Sequence, residues 1–216
     1  MYNQTDQLES LRLHAKGYIG YKNDFYGKET EYKTLFDTWP NLIREYKKSL
    51  ETYKSSVVAK SIMQKIANGN DEKETLQYVL LYFRDNFSWD KFLSISPEKT
   101  FEQLMIDKSG NQADLNLSLH EALAAKDIQA SLVLFSPRQY AWVLFNYPYR
   151  KQFKSMNNFV MLKNGENTLI EDSRISYTMF YFAPIEKYNQ RFLVVNNESD
   201  SPFLTTKQTL SELNVR

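Results

Sequence analysis

The sequence predicts an α+β domain in which a helical N-terminal half packs on an antiparallel β-sheet. From about residue 39 to residue 126, apolar residues recur at helical spacing, and after residue 127 short β-like runs alternate with turn residues. Helices followed by antiparallel strands are typical of the α+β class. With 216 residues, 42% of them hydrophobic and 15% aromatic, the chain is able to bury a core of ordinary size.

The N-terminal segment is predicted to be extended. Residues 8–22 alternate in polarity, and Leu11, Leu13 and Ala15 fall on one side of the predicted strand. Residues 23–29, "NDFYGKE", predict a turn after it.

The first two predicted helices follow this segment. Residues 39–54 favour a helix that tolerates Pro40 in its first turn. Either Ser55 or Ser56 is suited to cap a second helix, which is expected to stop at Gly69.

Three further helices are predicted from capping patterns at their first residues. The first begins with Asp71 and Glu74 and ends at about Phe87. The second is short, begins with Thr100 and Gln103 and ends near Gly110. The third begins at Asn111 and runs to about Lys126.

The second half of the chain is predicted to form the sheet. Its β-like runs are "IQASLVLFS", "NNFVMLKNG", "NTLIEDS" and "QRFLVVNN". Asn164 followed by Gly165 is a strong signal for a tight hairpin turn. The last residues, from Leu204 onwards, are weakly patterned and are expected to be peripheral.

Composition excludes several classes of function. The chain has 27 Lys and Arg against 26 Asp and Glu, so no strong field favours nucleic acid. It has no cysteine, which excludes disulfides, thiolate chemistry and cysteine-ligated zinc. No apolar run approaches the roughly 20 residues that span a bilayer, and the N-terminus does not have the pattern of a signal peptide. We therefore expect no cofactor, no metal, no nucleic-acid partner and no membrane-spanning segment.

The stretch Lys108–Leu117, "KSGNQADLNL", resembles the K-x-G-N-x-A-D-I-N-L block of transglutaminase-like domains. Three further segments are similar to that family in the same order: "YVLLYFRDNFSWD" with its trailing tryptophan, "IQASLVLFSPR", and "MNNFVMLKNGENTLIED". The resemblance covers about residues 55–196. It implies a transglutaminase-like, papain-related core with the Asn111 helix at its centre.

The resemblance also implies a catalytic triad whose reactive groups are replaced. The family needs a thiolate at the helix N-terminus, a histidine within hydrogen-bond reach, and a carboxylate that orients the imidazole. Gln112 stands at the cysteine position and Asn158 at the histidine position, and neither carboxamide serves as nucleophile or base near neutral pH. The acid position is Glu171 or Asp172. We expect these residues to form a hydrogen-bonded polar cluster.

Other residues offer weaker chemistry. His120 lies eight residues after Gln112 and therefore near the same helix face, but Ser118 is a poor partner because residues two apart point to different sides of a helix. Ser109 is the other hydroxyl considered. His14, the second histidine, lies in the N-terminal predicted strand, and both histidines favour structural roles. Asp114 is suited either to the helix dipole or to a hydrogen bond with a neighbouring loop.

An aromatic segment, "YAWVLFNYPY", has two interpretations. Aromatic side chains supply large, rigid contact area for a sugar or a peptide, which would make the segment a binding surface. It is equally suited to pack against the core, which we favour. Its aromatic residues are Tyr140, Trp142, Phe145, Tyr147 and Tyr149.

The resemblance is closest to multidomain exported proteins of Bacteroidetes that carry a β-rich domain ahead of the transglutaminase-like one. It implies that residues 1–30 are strands of such a preceding domain and that residues 31–216 form the transglutaminase-like domain. We expect an inactive domain with a binding or scaffolding role in a periplasmic or cell-envelope protein, the cytoplasm being the alternative. Its partners would be a peptide or glycan in the residual cleft, or neighbouring domains. The alternative function is an active acyl-transfer or amide-hydrolysing enzyme with a nucleophile other than cysteine.

Overall fold

The structure is a computed structural model. It describes the backbone of residues 17–24 and 27–34, and residues 38–137, 143–170, 191–196 and 202–205. The described part combines helices in the first half with an antiparallel sheet in the second, which confirms the predicted α+β class.

The N-terminal segment forms a β-hairpin. Strand β1 spans Gly17–Asp24 and strand β2 spans Gly27–Thr34, and the two pair antiparallel with Asp24 opposite Gly27. The predicted strand over residues 8–22 therefore coincides with β1 from Gly17 onwards, whereas residues 8–16 lie outside the described residues. The domain boundary predicted after residue 30 falls inside β2, and the prediction that this segment belongs to a preceding domain stays a prediction.

The helices begin where the sequence predicted them to begin, although the cap of the first, Thr38, was not singled out there. Thr38, Ser56, Asp71, Thr100 and Asn111 each accept a hydrogen bond from the main chain three residues later. Ser56 rather than Ser55 is therefore the cap of the second helix. The helices are α1 (Trp39–Leu50), α2 (Val57–Gln64), α3 (Glu72–Asn86), α4 (Phe101–Asp107) and α5 (Gln112–Ala125).

Three predicted helix ends are too late, and one of them is the end of α4, which was predicted near Gly110 and lies at Asp107. Residues 51–53, which were assigned to the first helix, form a 3₁₀ turn after α1. Helix α2 ends at Gln64 rather than at Gly69. The Nζ atom of Lys126 donates to the carbonyls of Gln64 and Ile66, so a distant cation satisfies the last carbonyls of α2.

A five-stranded antiparallel sheet follows the helices. Its strands are β5 (Ala130–Phe135), β6 (Ser155–Met161), β7 (Asn167–Ile170), β8 (Arg191–Val194) and β9 (Phe203–Thr205). They lie in the order β7-β6-β5-β8-β9. The Asn164–Gly165 hairpin is confirmed, because Gly165 has a φ of +88° between β6 and β7. The last strand, β9, extends into the segment from Leu204 that was expected to be peripheral.

A small parallel pair connects the helical half to the start of α5. Strand β3, Ser88–Trp89, pairs with strand β4, Ser109–Gly110, so that Trp89 lies opposite Gly110. This pairing brings the end of the α3 segment beside the residues that immediately precede α5.

Helix α5 lies at the centre of the domain, between two hydrophobic cores. Leu115, Leu119 and Leu123 pack with apolar residues of α2, α3 and α4. Ala113 and Leu117 pack with α1 and with residues of β5 and β6. Between these faces the helix carries polar residues that are also buried, and these form the candidate site.

Candidate functional site

The N-terminus of α5 is fixed by a reciprocal capping box. The side chain of Asn111 accepts from the main-chain N of Asp114 at 2.9 Å, and Asp114 Oδ2 accepts from the main-chain N of Asn111 at 2.8 Å. Asp114 Oδ1 also accepts from the main-chain N atoms of Glu98 and Lys99 at 2.6 and 2.8 Å. Both roles considered for Asp114 are therefore present, since one carboxylate caps the helix and holds the neighbouring loop.

Gly110 is required by this arrangement. A Cβ atom at Gly110 would lie 2.9 Å from Asp114 Oδ2 and 2.9 Å from Leu104 Cδ1. Contacts under about 3 Å force the neighbouring atoms apart, and here the neighbours are the capping carboxylate and a buried leucine. Gly110 therefore allows the side chains of Asp114 and Leu104 to lie close to the backbone, directly before Gln112, the first residue of α5.

The side chain of Gln112 is held at both ends of its carboxamide. Its Nε2 donates to Asn157 Oδ1 at 3.1 Å, and its Oε1 accepts from Ser155 Oγ at 2.5 Å. Gln112 is 8% exposed, and Ser155 and Asn157 are fully buried. We call these three residues the Gln112 cluster. It contains one defect, because Asn157 Nδ2 is buried and has no hydrogen-bond partner among the described residues.

The main-chain N–H of Gln112 is also engaged. It donates to the carbonyl oxygen of Phe92 at 3.2 Å. The indole Nε1 of Trp89 donates to the same oxygen at 2.9 Å. Two N–H groups from different elements therefore converge on one carbonyl oxygen at the N-terminus of α5.

A second polar cluster lies further along α5 and consists of Asn116, Asn158 and His120. Asn158 Nδ2 donates to the main-chain O and to the Oδ1 of Asn116, at 2.8 and 3.3 Å. Asn158 Oδ1 lies 3.1 Å from His120 Nδ1. Asn116 Nδ2 donates to the main-chain O of Gln112 at 3.0 Å, which links this His120 cluster to the Gln112 cluster.

The geometry defines the tautomer of His120. Because Asn158 Nδ2 is used as a donor to Asn116, the oxygen of the Asn158 carboxamide faces the ring. His120 Nδ1 must then carry the proton and donate it. Burial lowers the pKa of His120, and the hydrogen bond to Asn158 opposes that shift only in part. His120 is therefore a neutral, half-buried hydrogen-bond donor.

The structure changes the predicted pairing around Gln112. The residue of β6 that Gln112 contacts is Asn157, one residue before the predicted Asn158. Successive side chains of a strand point to opposite faces, and Asn158 shares its face with Met156 and Val160, which pack in the cores beside α5. Asn158 reaches Gln112 only through Asn116. Glu171 and Asp172, the alternatives for the acid position, lie outside the described residues, so the full predicted cluster stays a prediction.

The serines considered as partners of His120 lie elsewhere. Ser118 is buried in α5, and Ser109 lies in β4, where its carbonyl accepts from Lys99 Nζ at 2.8 Å. Within the described ranges, no hydrogen bond connects His120 to a serine hydroxyl. His14 lies outside those ranges. No group of three metal-ligating side chains is found in the part of the chain that the structure describes.

The aromatic segment is described only from Val143 onwards, so Tyr140 and Trp142 lie outside the described residues. The ring of Phe145 packs on the sheet, with its centroid 4.8 Å from that of Phe203 and with the Arg191 guanidinium 4.5 Å above it. This matches the packing interpretation for Phe145. Tyr147 is half-buried and Tyr149 is exposed, and their use as a binding surface stays a prediction.

Several residues of the site were not singled out in the sequence. Asn116 lies midway between Gln112 and His120 at i,i+4 spacing, which places all three on one helix face. Ser155 and Asn157 lie two apart in β6 and therefore on one face of the strand. These spacings were readable, but the sequence does not show which face of β6 meets the N-terminus of α5.

Comparison with known proteins agrees with this fold. No protein-family model matches the chain, and no curated protein matches it. The fold is similar to that of the crystal structure of a putative protease from Parabacteroides distasonis, with a TM-score of 0.57 and 9% sequence identity. The match covers 85% of this chain and 39% of that protein, so the chain spans about two fifths of its length. At this identity the similarity shows a shared fold and nothing about activity. None of the described helices is long and apolar enough to cross a membrane.

Proposed function

We propose that the domain is a catalytically inactive member of the transglutaminase-like group that serves binding or scaffolding in a larger cell-envelope protein. The observation that carries the proposal is the Gln112 cluster. At the first position of a buried helix, where the resembling family has its nucleophile, this chain places a carboxamide that is hydrogen-bonded at both ends.

The chemistry of these groups favours an inactive site. A carboxamide has no ionisation near neutral pH that would make it a nucleophile or a base. The hydroxyl of Ser155 donates a hydrogen bond to Gln112 Oε1, and an amide oxygen does not remove a proton from a hydroxyl as a catalytic base does. The chain has no cysteine that would take over the role of the nucleophile.

The role in a larger protein rests on the resemblance and on the fold neighbour. The protease from Parabacteroides distasonis is much longer than the region that matches this chain. A region with this fold therefore occurs within a longer chain in that protein. The cell-envelope location comes from the resemblance to exported multidomain proteins, and secretion of a full-length reporter fusion in the source organism would test it.

The inactivity is tested by turnover. The purified domain is incubated with a panel of fluorogenic peptide amides and, separately, with a labelled amine and a glutamine-containing peptide. We expect no product above the level of heat-denatured protein in either assay. Turnover that disappears in Ser155→Ala, Ser109→Ala or His120→Ala variants would contradict the proposal and would support the alternative of an enzyme with a nucleophile other than cysteine.

A further inference from the structure

A groove lies on the surface of the helical half, between α2 and α3. Its volume is about 420 Å³, within the roughly 300–1,000 Å³ that is usual for small-molecule sites. Ile62 of α2, Ile66 just after α2, and Tyr78 and Tyr82 of α3 form its apolar lining. The groove is separate from the Gln112 cluster, which α5 and β6 form.

The apolar lining of the groove remains partly open to solvent. Ile62, Tyr78 and Tyr82 are half-buried, and each packs against the hydrophobic core that contains Leu119 of α5. Tyr78 and Tyr82 are four residues apart and therefore lie on one face of α3. Apolar surface that the chain itself leaves in water favours binding of a ligand that covers it.

The polar groups of the two tyrosines are engaged within the chain. Tyr78 Oη donates to Glu74 Oε1 at 3.0 Å, and Tyr82 Oη donates to Met105 Sδ at 3.5 Å. The amide that lines the groove, Asn86, donates from its Nδ2 to the main-chain O of Tyr82 at 2.8 Å. The tyrosines therefore offer a ligand mainly the surface of their rings.

The lining carries two charged side chains, and the chain neutralises only one of them. Asp85 Oδ1 lies 2.8 Å from Nε and 2.8 Å from Nη2 of Arg84. Lys65 is exposed, and among the described residues no carboxylate pairs with its ammonium group. The charge that the groove leaves for a ligand is therefore positive.

We propose that this α2–α3 groove binds a small apolar carboxylic acid. The apolar body of the ligand lies against the isoleucines and the tyrosine rings, and its carboxylate pairs with Lys65 Nζ. Eight residues line the groove, whereas a stable protein interface uses roughly 20–30 residues on each side, so its size favours a small molecule. The inference goes beyond the proposed function, since it assigns a second site to the helical half of the domain.

The probe is phenylbutyrate, in which a flexible chain of methylene groups joins a phenyl ring to a carboxylate. Phenylbutanamide has the same apolar body without the charge, and phenylbutylamine carries a cation in place of the anion. All three probes share the apolar contribution, and only the acid gains the ion pair with Lys65. The amine tests whether Asp85 rather than Lys65 decides which charge the groove prefers.

Binding is measured by NMR titration of the isotope-labelled domain. We expect saturable shifts of the main-chain resonances of Ile66 and Tyr82, with the acid bound about fivefold more tightly than the amide and the amine bound most weakly. A factor of this size is that of one exposed ion pair. Added salt should reduce the difference between acid and amide, because salt screens exposed charges. The resonance of Leu193 in β8 is the reference and should not shift.

Three variants distinguish the groove from the rest of the surface. Lys65→Gln should bind the acid and the amide equally, about fivefold more weakly than the native domain binds the acid. Lys60→Gln, at an exposed position of α2 outside the groove, should bind the acid as the native domain does. Ala67→Phe introduces a ring at an exposed position of the lining and should abolish the shifts.

Three results would overturn the inference. They are the absence of a saturable shift in the native domain, an amine that binds as tightly as the acid, and a loss of affinity in Lys60→Gln equal to that in Lys65→Gln. The turnover assays stand apart from these results, because no residue of the groove belongs to the Gln112 cluster.

Discussion

Two polar clusters lie on the same helix and differ in how completely they are satisfied. In the His120 cluster, each side-chain N and O of Asn116 and Asn158 has a hydrogen-bond partner. In the Gln112 cluster, a fully buried donor, Asn157 Nδ2, has none within the described residues. The first cluster lies between the two hydrophobic cores, and the second lies at the end of the helix beside the 90–93 segment.

We interpret this difference as one of role. The His120 cluster is structural, and the Gln112 cluster is where we propose a binding role. Buried amides that are fully paired specify how α5 docks on β6, since any other register would leave several polar groups unpaired. An unpaired buried donor contributes nothing to folding, and positions that depart from good packing are concentrated where proteins bind or act. The Gln112 cluster is therefore the part of α5 that we assign to function.

The largest effect is expected from Asn158→Leu. The substitution leaves the His120 Nδ1–H and the buried Asn116 Oδ1 without their partner, at a cost of about 3 kcal/mol in the free energy of unfolding. Urea denaturation followed by circular dichroism measures it. The control is Asn68→Ala, an exposed asparagine that binds Lys126 Nζ, with an expected change within about 0.5 kcal/mol. Equal losses in both variants would remove the distinction between the His120 cluster and an ordinary surface hydrogen bond.

An intermediate effect is expected from Gln112→Ala. The truncation leaves Ser155 without its acceptor and Asn157 Oδ1 without its donor, and it opens a cavity at the start of α5. We expect a loss of about 2 kcal/mol in the same denaturation experiment. Gln129→Ala, at an exposed position in the connection between α5 and β5, is the matched control and should change stability by about 0.5 kcal/mol or less.

A smaller effect is expected when the whole Gln112 cluster is made apolar. The triple variant Gln112→Met, Ser155→Ala, Asn157→Leu removes the two described side-chain partners together with Gln112, and it also removes the unpaired Asn157 Nδ2. Replacing all partners together is often close to neutral, so we expect a free energy of unfolding within about 1 kcal/mol of the native value. A loss larger than that of Gln112→Ala would mean that this cluster is structural in the same sense as the His120 cluster.

The smallest effect concerns pH. Burial lowers the pKa of His120 in the folded state, so as the pH falls through the ordinary histidine range near about 6.5, the unfolded chain takes up the proton first. Stability present above that pH is therefore lost below it. We expect the free energy of unfolding to decrease more steeply toward acid in the native domain than in His120→Gln. His14 is the only other histidine and is common to both proteins, so parallel curves would contradict a neutral His120 whose pKa is lowered.

The sequence was most informative about local structure and least informative about the faces of strands. The caps at Asp71, Thr100 and Asn111 and the turn at Gly165 were readable because they depend on residues close in sequence. The pairing of Gln112 with Asn157 instead of Asn158 was not, because two adjacent asparagines in β6 are distinguished only by which side of the strand meets α5. The 90–93 segment was missed for the same reason, since its contact with Gln112 depends on the β3–β4 pairing.

The central claim is that residue 112 lies where a nucleophile would lie, at the N-terminus of α5, and that Asn157 of β6 faces it. A direct measurement uses the absence of cysteine from the chain, which makes Gln112→Cys the sole thiol. Its pKa is read from the ultraviolet absorbance of the thiolate in three proteins: Gln112→Cys alone, with Asn157→His, and with Asn158→His. A neighbouring imidazolium lowers a thiol pKa below its usual value of about 8.5. We predict that histidine at 157 lowers it and histidine at 158 leaves it unchanged. A lower thiol pKa with histidine at 158, or no change in either double variant, would contradict the account.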